Sequence, residues 1–395
     1  MNYGVPVDLL RFLGACVYGD AAAYYHALDQ SARDVLEREG CAFGQQAWLY
    51  RFLYDELPEE RRAKYRKVYQ FRQAQAAQGA HAIRQCFDEL SAHRLRFAPV
   101  KGADLTWRVY PDAALRHGND WDVWFHPDDC EKALDVLTET GWQVPDCYAD
   151  CDDMALKRVG HHFYPCTRGQ YTVEPHFTLS NFEGIDPLEL WEFTAELPGG
   201  GGRRVLTPEM NVLMLARHAA SQSYYHAQLP KLLTDAAMVM RHDEVDFAKL
   251  RAMSDRWRLP YPGDLLAAFP EFFPADILAK FDADPERSAL FRTVFEERGK
   301  LGAPDTTKLT MVRSQQKGTA ANFIVNHVLS RTPKRIRAQY HLPRHGAWGR
   351  LCISYFDYFW TRSCRVISVL LGGHCPLKDY CRLVESAESP QTGSH

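Results

Sequence analysis

The chain has 395 residues, enough for two or three domains at about 100–200 residues each, and its 46% hydrophobic and 25% charged residues exclude collagen, coiled coil and wholesale disorder. Its 47 Lys and Arg stand against 50 Asp and Glu, a formal net charge of −3 that gives no global attraction to nucleic acid or anionic lipid. Eleven cysteines, odd in number and irregularly spaced, read as reduced thiols, and a chain of this size needs no disulfide to hold it together.

The segment Met1 to Asp8 has no basic stretch followed by an apolar one, and the most apolar run, 351–373, is interrupted by Asp357, Arg362 and Arg365. A cytoplasmic protein without a spanning helix is expected. From Val7 to Leu95 apolar residues recur three and four apart, as in Leu49, Phe52 and Leu53. Pro58-Glu59-Glu60 is a favourable first turn, with proline pre-set for it and carboxylates at the positive end of the helix dipole, so a long helix is expected from there into Ser91.

Short apolar runs then alternate with helical patterns. Phe97 to Val100 leads into Lys101-Gly102, and Asp120 to Phe125 leads into Pro127-Asp128-Asp129, which starts a helix ending at Gly141. Runs at 161–166 and 171–179 flank the turn Arg168-Gly169-Gln170. The glycines 199–202 read as a flexible break. Helical patterns resume at Thr207-Pro208-Glu209 and recur near 229–240, 247–257 and 265–269.

The expected fold is α+β: a small mixed-sheet core over 96–205, flanked by helical regions over 1–95 and 206–384, with 385–395 a disordered tail.

The chemistry sits in the middle. Strand side chains alternate faces, so Asp120 and Asp122 project together while Trp121 points away, and Glu174 supplies a third carboxylate if its strand pairs beside them. Hard oxygen ligands of this kind suit Mg²⁺ or Mn²⁺, with positions left for water and phosphate. Lys101 and Arg116 are cations near the acids.

The segment APVKGADLTWRVYPDAALRHGNDWDVWFHPDDCEKALDVLTETGWQ, followed by HHFYPCTRGQYTVEPHF, resembles the bacterial uncharacterised nucleotidyltransferase family of the polymerase-β-like superfamily. The shared pattern is Lys101-Gly102, Tyr110-Pro111-Asp112, Arg116, Asp120-x-Asp122, Pro127-Asp128-Asp129 and Glu174-x-His176, with His218 and Asp235 on helices beyond the core. The resemblance implies a nucleotidyltransferase core that moves an NMP from an NTP, foremost AMP from ATP, to an acceptor with release of pyrophosphate. Asp120, Asp122 and Glu174 would be the catalytic metal ligands; Lys101, Gly102 and Arg116 would hold the nucleotide; His161, His162 and His176 would touch substrate or orient a carboxylate. The acceptor, a small molecule or a protein, is not named by the sequence.

Two positions depart from the wider superfamily: Ala103 follows the glycine where serine or glycine is usual, and Asn119 precedes the acids where serine or threonine is usual. They point to the alternative of a nucleotidyltransferase-like binding module without turnover. A membrane-associated accessory protein, using the basic and aromatic segment 331–372, is the other alternative and is not favoured. The spacing of Cys147, Cys151 and Cys166 is not that of a zinc finger or ribbon. For His218 and Asp235 the favoured reading is a buried hydrogen bond between helices.

Overall fold

The computed structural model describes residues 5–116, 118, 120–144, 158–159, 161–179, 182, 184–197, 199–221, 224, 226–300, 350, 352–354, 356 and 376–389. Helices α1 (Val7–Tyr18), α2 (Ala21–Ala27), α3 (Gln30–Ala42) and α4 (Gln46–Phe52) open the chain. Asp20 and Asp29 start α2 and α3 by accepting hydrogen bonds from the backbone N–H groups of Ala23 and Ala32, donors that have no partner inside the helix. The long α5 (Glu59–Ala92) begins directly after Pro58, with Glu59 and Glu60 in its first turn.

The mixed region follows as β1 (Phe97–Pro99), α6 (Gly102–Arg108), β2 (Asp120–Phe125), α7 (Cys130–Glu139), β3 (Arg158–Val159), β4 (His162–Phe163), β5 (Cys166–Arg168) and β6 (Tyr171–His176). The sheet runs in the order β1-β2-β6-β4-β3, with β5 also paired to β6. The β2–β6 pairing is parallel, the other pairings between these named strands are antiparallel, and a single parallel bridge joins Phe97 to Arg203. Helix α8 (Pro187–Trp191) and the hairpin β7 (Thr194–Glu196) with β8 (Arg204–Leu206) complete this part. Then come α9 (Pro208–Ser221), α10 (Leu229–His242), α11 (Phe247–Arg256), α12 (Pro262–Ala267), α13 (Ala275–Phe281), α14 (Pro285–Lys300) and α15 (Pro376–Glu388). Helices and a mixed sheet together make the fold α+β.

The alternation of β2 divides the interior in two. Trp121, Val123 and Phe125 join Phe97, Val173 and Phe163 in a core closed by Ile83, Phe87 and Leu90 of α5 and by Ala133, Leu134 and Leu137 of α7. Trp124, on the other face, packs with Ala98 and Val100 in a larger core that contains residues of α1, α4, α9 and α10. Helix α5 takes part in both, through Tyr65 and Tyr69 in the larger core and through Ile83 onward in the smaller. The sheet is therefore buried on both faces, and the acids at the start of β2 lie where its helix-facing side opens.

Two expectations change. The glycines at 199–202 belong to the connection of the β7–β8 hairpin, which is held rather than free: Ser91 Oγ donates to the Gly200 carbonyl, and the Phe97 N–H donates to that of Gly202. Gly202 has φ of 99°, and a Cβ there would lie 2.4 Å from the Leu95 carbonyl oxygen. The tail expected from residue 385 is helical through Glu388. Among the described residues no helix is long and apolar enough to cross a membrane. Most of the 331–372 segment, and with it the membrane-association reading, lies outside the described residues, as do Asn119, Cys147 and Cys151.

Gly202→Ala must take both a left-handed backbone and a contact with main chain, so it is expected to destabilise the protein by about 1–3 kcal/mol. Gly199→Ala has positive φ but open space around it, and is expected to cost less. Urea denaturation of the two variants measures the difference, and equal losses would contradict the close packing of the hairpin.

Candidate active site

The site is assembled from the ends of β1, β2 and β6. The Val100 N–H donates to the Asp122 carbonyl and so extends the β1–β2 pairing by one step; Lys101 then turns out of the sheet at φ 49° and α6 begins. A positive φ is uncommon in a residue with a side chain. Lys101 is directed back onto β2, where its Nζ donates to Asp122 Oδ1 at 2.9 Å.

The parallel register sets Asp122 beside Glu174 and Trp124 beside His176. His176 Nε2 lies 2.8 Å from Asp122 Oδ1 and 3.9 Å from Glu174 Oε2. With Nε2–H donating to the carboxylate, Nδ1 keeps its lone pair; it is buried and has no hydrogen-bond partner among the described residues. The rings of His161 and His162 stand 5.0 and 5.4 Å from that of His176.

Burial would raise the Asp122 carboxyl, but the His176 hydrogen bond and the Lys101 ammonium outweigh it and hold the group well below the usual carboxylate range. Burial, followed by the neighbouring His176 and His162, pushes His161 down to about 3. Burial and then Lys101 push His218 down to about 4. These imidazoles are neutral at physiological pH.

Asp122, Glu174 and His176 offer one ligand atom each within 4.8 Å of one another. Two carboxylate oxygens with one imidazole suit Mn²⁺ or Zn²⁺ as well as Mg²⁺. Of the expected trio Asp120, Asp122 and Glu174, the last two lie in this cluster, while Asp120 pairs in register with Thr172, two residues from Glu174, and is exposed. His176 stands in the third place. The parity of the strands permits either residue, because both lie on the same face.

A pocket of about 750 Å³ opens beside Asp122, with Lys101, Gly102, Asp120 and Asp122 on the sheet side, Arg116 and Asp235 in its lining, and His218, Lys231 and Phe295 on the helices opposite. Lys231 was given no role by the sequence reading. Its signal was its place four residues before Asp235, hence on one face of the same helix.

Arg116, in the lining of the pocket, is engaged by protein partners. Its guanidinium is buried and closes on Asp235, with Nε to Oδ1 at 2.7 Å and Nη2 to Oδ2 at 2.9 Å. The third nitrogen, Nη1, donates to Thr106 Oγ1 at 3.3 Å. Tyr110 also donates to Asp235, at 2.7 Å. Asp235 is therefore satisfied by Arg116 and Tyr110. Gly102 acquires a different reason as well: a Cβ there would lie 2.4 Å from Arg116 Nη1, so the bare glycine makes room for the guanidinium. Cys166 faces the smaller core, paired opposite Val173, and burial pushes its thiol up to about 12.

The family model of the uncharacterised nucleotidyltransferases matches residues 25–266, and the chain belongs to that family. No curated protein and no solved structure matches it.

Asp235→Asn keeps the shape of the side chain and leaves a buried guanidinium without its counter-charge, a loss expected to cost about 3–5 kcal/mol. Tyr110→Phe removes one hydrogen bond to a charged group and is expected to cost about 1.5–3 kcal/mol. Urea denaturation should rank the two in that order.

A pH dependence follows from the histidines. Their folded values lie below the unfolded value of about 6.5, so the unfolded chain takes up protons first as pH falls. The stability contributed by neutral His161 and His218 is complete above about pH 6.5 and is lost progressively toward pH 4. Urea midpoints measured at pH 7.5, 6 and 5 should fall in that order, with a shallower fall in a His161→Gln, His218→Gln double variant.

Proposed function

We propose that the protein moves a nucleotidyl group from a nucleoside triphosphate, ATP by preference, to an acceptor hydroxyl with release of pyrophosphate, in the pocket between the acidic end of β2 and helices α9 and α10. Membership of the family supports the reaction class. The observation that carries the reading is the in-register pairing of Asp122 with Glu174, with His176 against Asp122, where Asp122 itself lines a pocket that also holds two lysines.

The donor set fits a divalent ion, held by Asp122, Glu174 and His176, with Asp120 on the same strand face at the pocket wall. Bound there, Mg²⁺ or Mn²⁺ would neutralise phosphate charge and stabilise the displacement at phosphorus. The chain's own residues supply the rest. Lys101 and Lys231 are cationic donors for triphosphate oxygens, the part the sequence assigned to Lys101 and Arg116. Before the ion binds, His176 positions Asp122 by a hydrogen bond from Nε2; as a ligand through that nitrogen it would give up the proton. Arg116 acts at a distance, fixing the start of α6 and the inner face of α10 to each other through Gly102 and Asp235.

A second reading, nucleotide binding without turnover, draws on one contact: Lys101 Nζ already balances the charge of Asp122. The two readings diverge on metal. The transferase reading expects Mn²⁺ to raise the melting temperature by mass action on the folded state, and expects a non-hydrolysable ATP analogue to bind only when metal is present. Asp122→Asn and Glu174→Gln should each abolish the Mn²⁺ shift, and Lys231→Gln should weaken the analogue about tenfold or more. An Mn²⁺ response that survives in both carboxylate variants would place the ion elsewhere.

A further inference from the structure

A second concavity of about 950 Å³ lies between the C-terminal half of α5, helix α6 and the β7–β8 hairpin, and shares no lining residue with the acidic pocket. Its apolar lining comes from Ile83 and Phe87, one turn apart on α5, with Trp107 of α6 and Leu197 of the hairpin. Three arginines, Arg84, Arg108 and Arg203, stand in it beside one acid, Asp104.

The charge accounting is uneven. Arg108 is held by two acids, Asp104 within the same helix and Asp243 at 2.6 Å, though its buried Nη2 makes no hydrogen bond among the described residues, and Asp104 also feels the charge of Arg203. Among the described residues, Arg84 donates only to the carbonyl one turn back, that of Ala80. Arg203 lies over the Phe87 ring at 5.0 Å, and its buried Nε has no acceptor among the described residues. Neither Arg84 nor Arg203 pairs with a carboxylate among the described residues. The buried indole N–H of Trp107 is likewise without an acceptor among them.

A buried donor left unsatisfied costs about 1–3 kcal/mol, so such groups in a folded protein call for an explanation, and a missing partner is a common one. Guanidinium groups prefer carboxylate and phosphate oxygens, which match their planar fork. An apolar floor under two such forks selects for a molecule with an apolar body and one anionic end.

We infer that this groove is a binding site for a small organic anion, a carboxylate or phosphate monoester with an aromatic or aliphatic body, its anionic group on Arg203 and Arg84 and its body on Phe87, Ile83 and Leu197. The site is separate from the acidic pocket and stands whether or not the nucleotidyl-transfer reading does. It also touches α6 near its end, the helix whose start carries Lys101.

Calorimetry with the full chain tests this, using phenyl phosphate, benzoate, inorganic phosphate and benzyl alcohol as probes. Phenyl phosphate or benzoate should bind saturably at one site, whichever binds more tightly identifying the anionic group, while inorganic phosphate binds at least tenfold more weakly and benzyl alcohol shows no saturation. Arg203→Gln and Arg84→Gln should each weaken the tighter probe about tenfold or more. Arg84 is exposed, so its variant keeps the test valid should Arg203→Gln fail to fold. Lys231→Gln, in the acidic pocket, should leave the affinity unchanged. Absence of saturable binding, affinity unchanged in Arg84→Gln, or loss of binding in Lys231→Gln would overturn the assignment.

Discussion

The parallel pairing of β2 with β6 is the constraint on which the site rests. An antiparallel pair can be closed by a short turn, whereas a parallel one requires a crossover, here the stretch containing α7 and the strands β3 to β5. What the crossover achieves is register: Asp122 stands opposite Glu174, and the next residue on that face of β6 is His176. A slip of one residue would send Glu174 and His176 into the aromatic core that Val173 now occupies. The bulk of Trp121, Val123 and Phe125 on that side is therefore part of what fixes the chemistry on the other.

Three positive groups meet the acids in different ways. Lys101 touches Asp122 directly, and its unusual backbone geometry is the means by which the start of α6 is turned toward the strand. Lys231 stands across the pocket on α10. Arg116 is spent on Asp235, and that buried bidentate pair joins the loop before β2 to a helix more than a hundred residues later. The pocket has two walls from distant parts of the chain, and Arg116 with Asp235 is the tie that sets their separation at the closed end. A pair so thoroughly desolvated adds less to stability than its geometry suggests, and its value lies in the penalty for breaking it.

Much of this was legible in the sequence where the signal is local. The alternation in Asp120-Trp121-Asp122 and in Thr172-Val173-Glu174 gives the face of each acid, and Pro58-Glu59-Glu60 gives the start of α5. Which of several residues on one face converge is not local: Asp120 and His176 satisfy the same parity, and only the pairing register decides that His176 completes the cluster. The pairing of Arg116 with Asp235 is not local either, since the two lie 119 residues apart. Lys231 is one lysine among many until the fold turns α10 toward the strand. The glycines at 199–202 misled for a related reason: a composition that permits flexibility is also the one that permits a backbone to approach Leu95 as closely as Gly202 does.

The central claim is that Asp122, Glu174 and His176 hold the divalent ion that serves nucleotidyl transfer. Anomalous diffraction from crystals grown with Mn²⁺ and a non-hydrolysable ATP analogue tests it most directly. The account predicts a manganese peak bonded to carboxylate oxygens of Asp122 and Glu174, with the triphosphate in the pocket faced by Lys101 and Lys231. Manganese bound away from these two carboxylates, or a nucleotide bound there with Lys101 still on Asp122 and no metal, would contradict it.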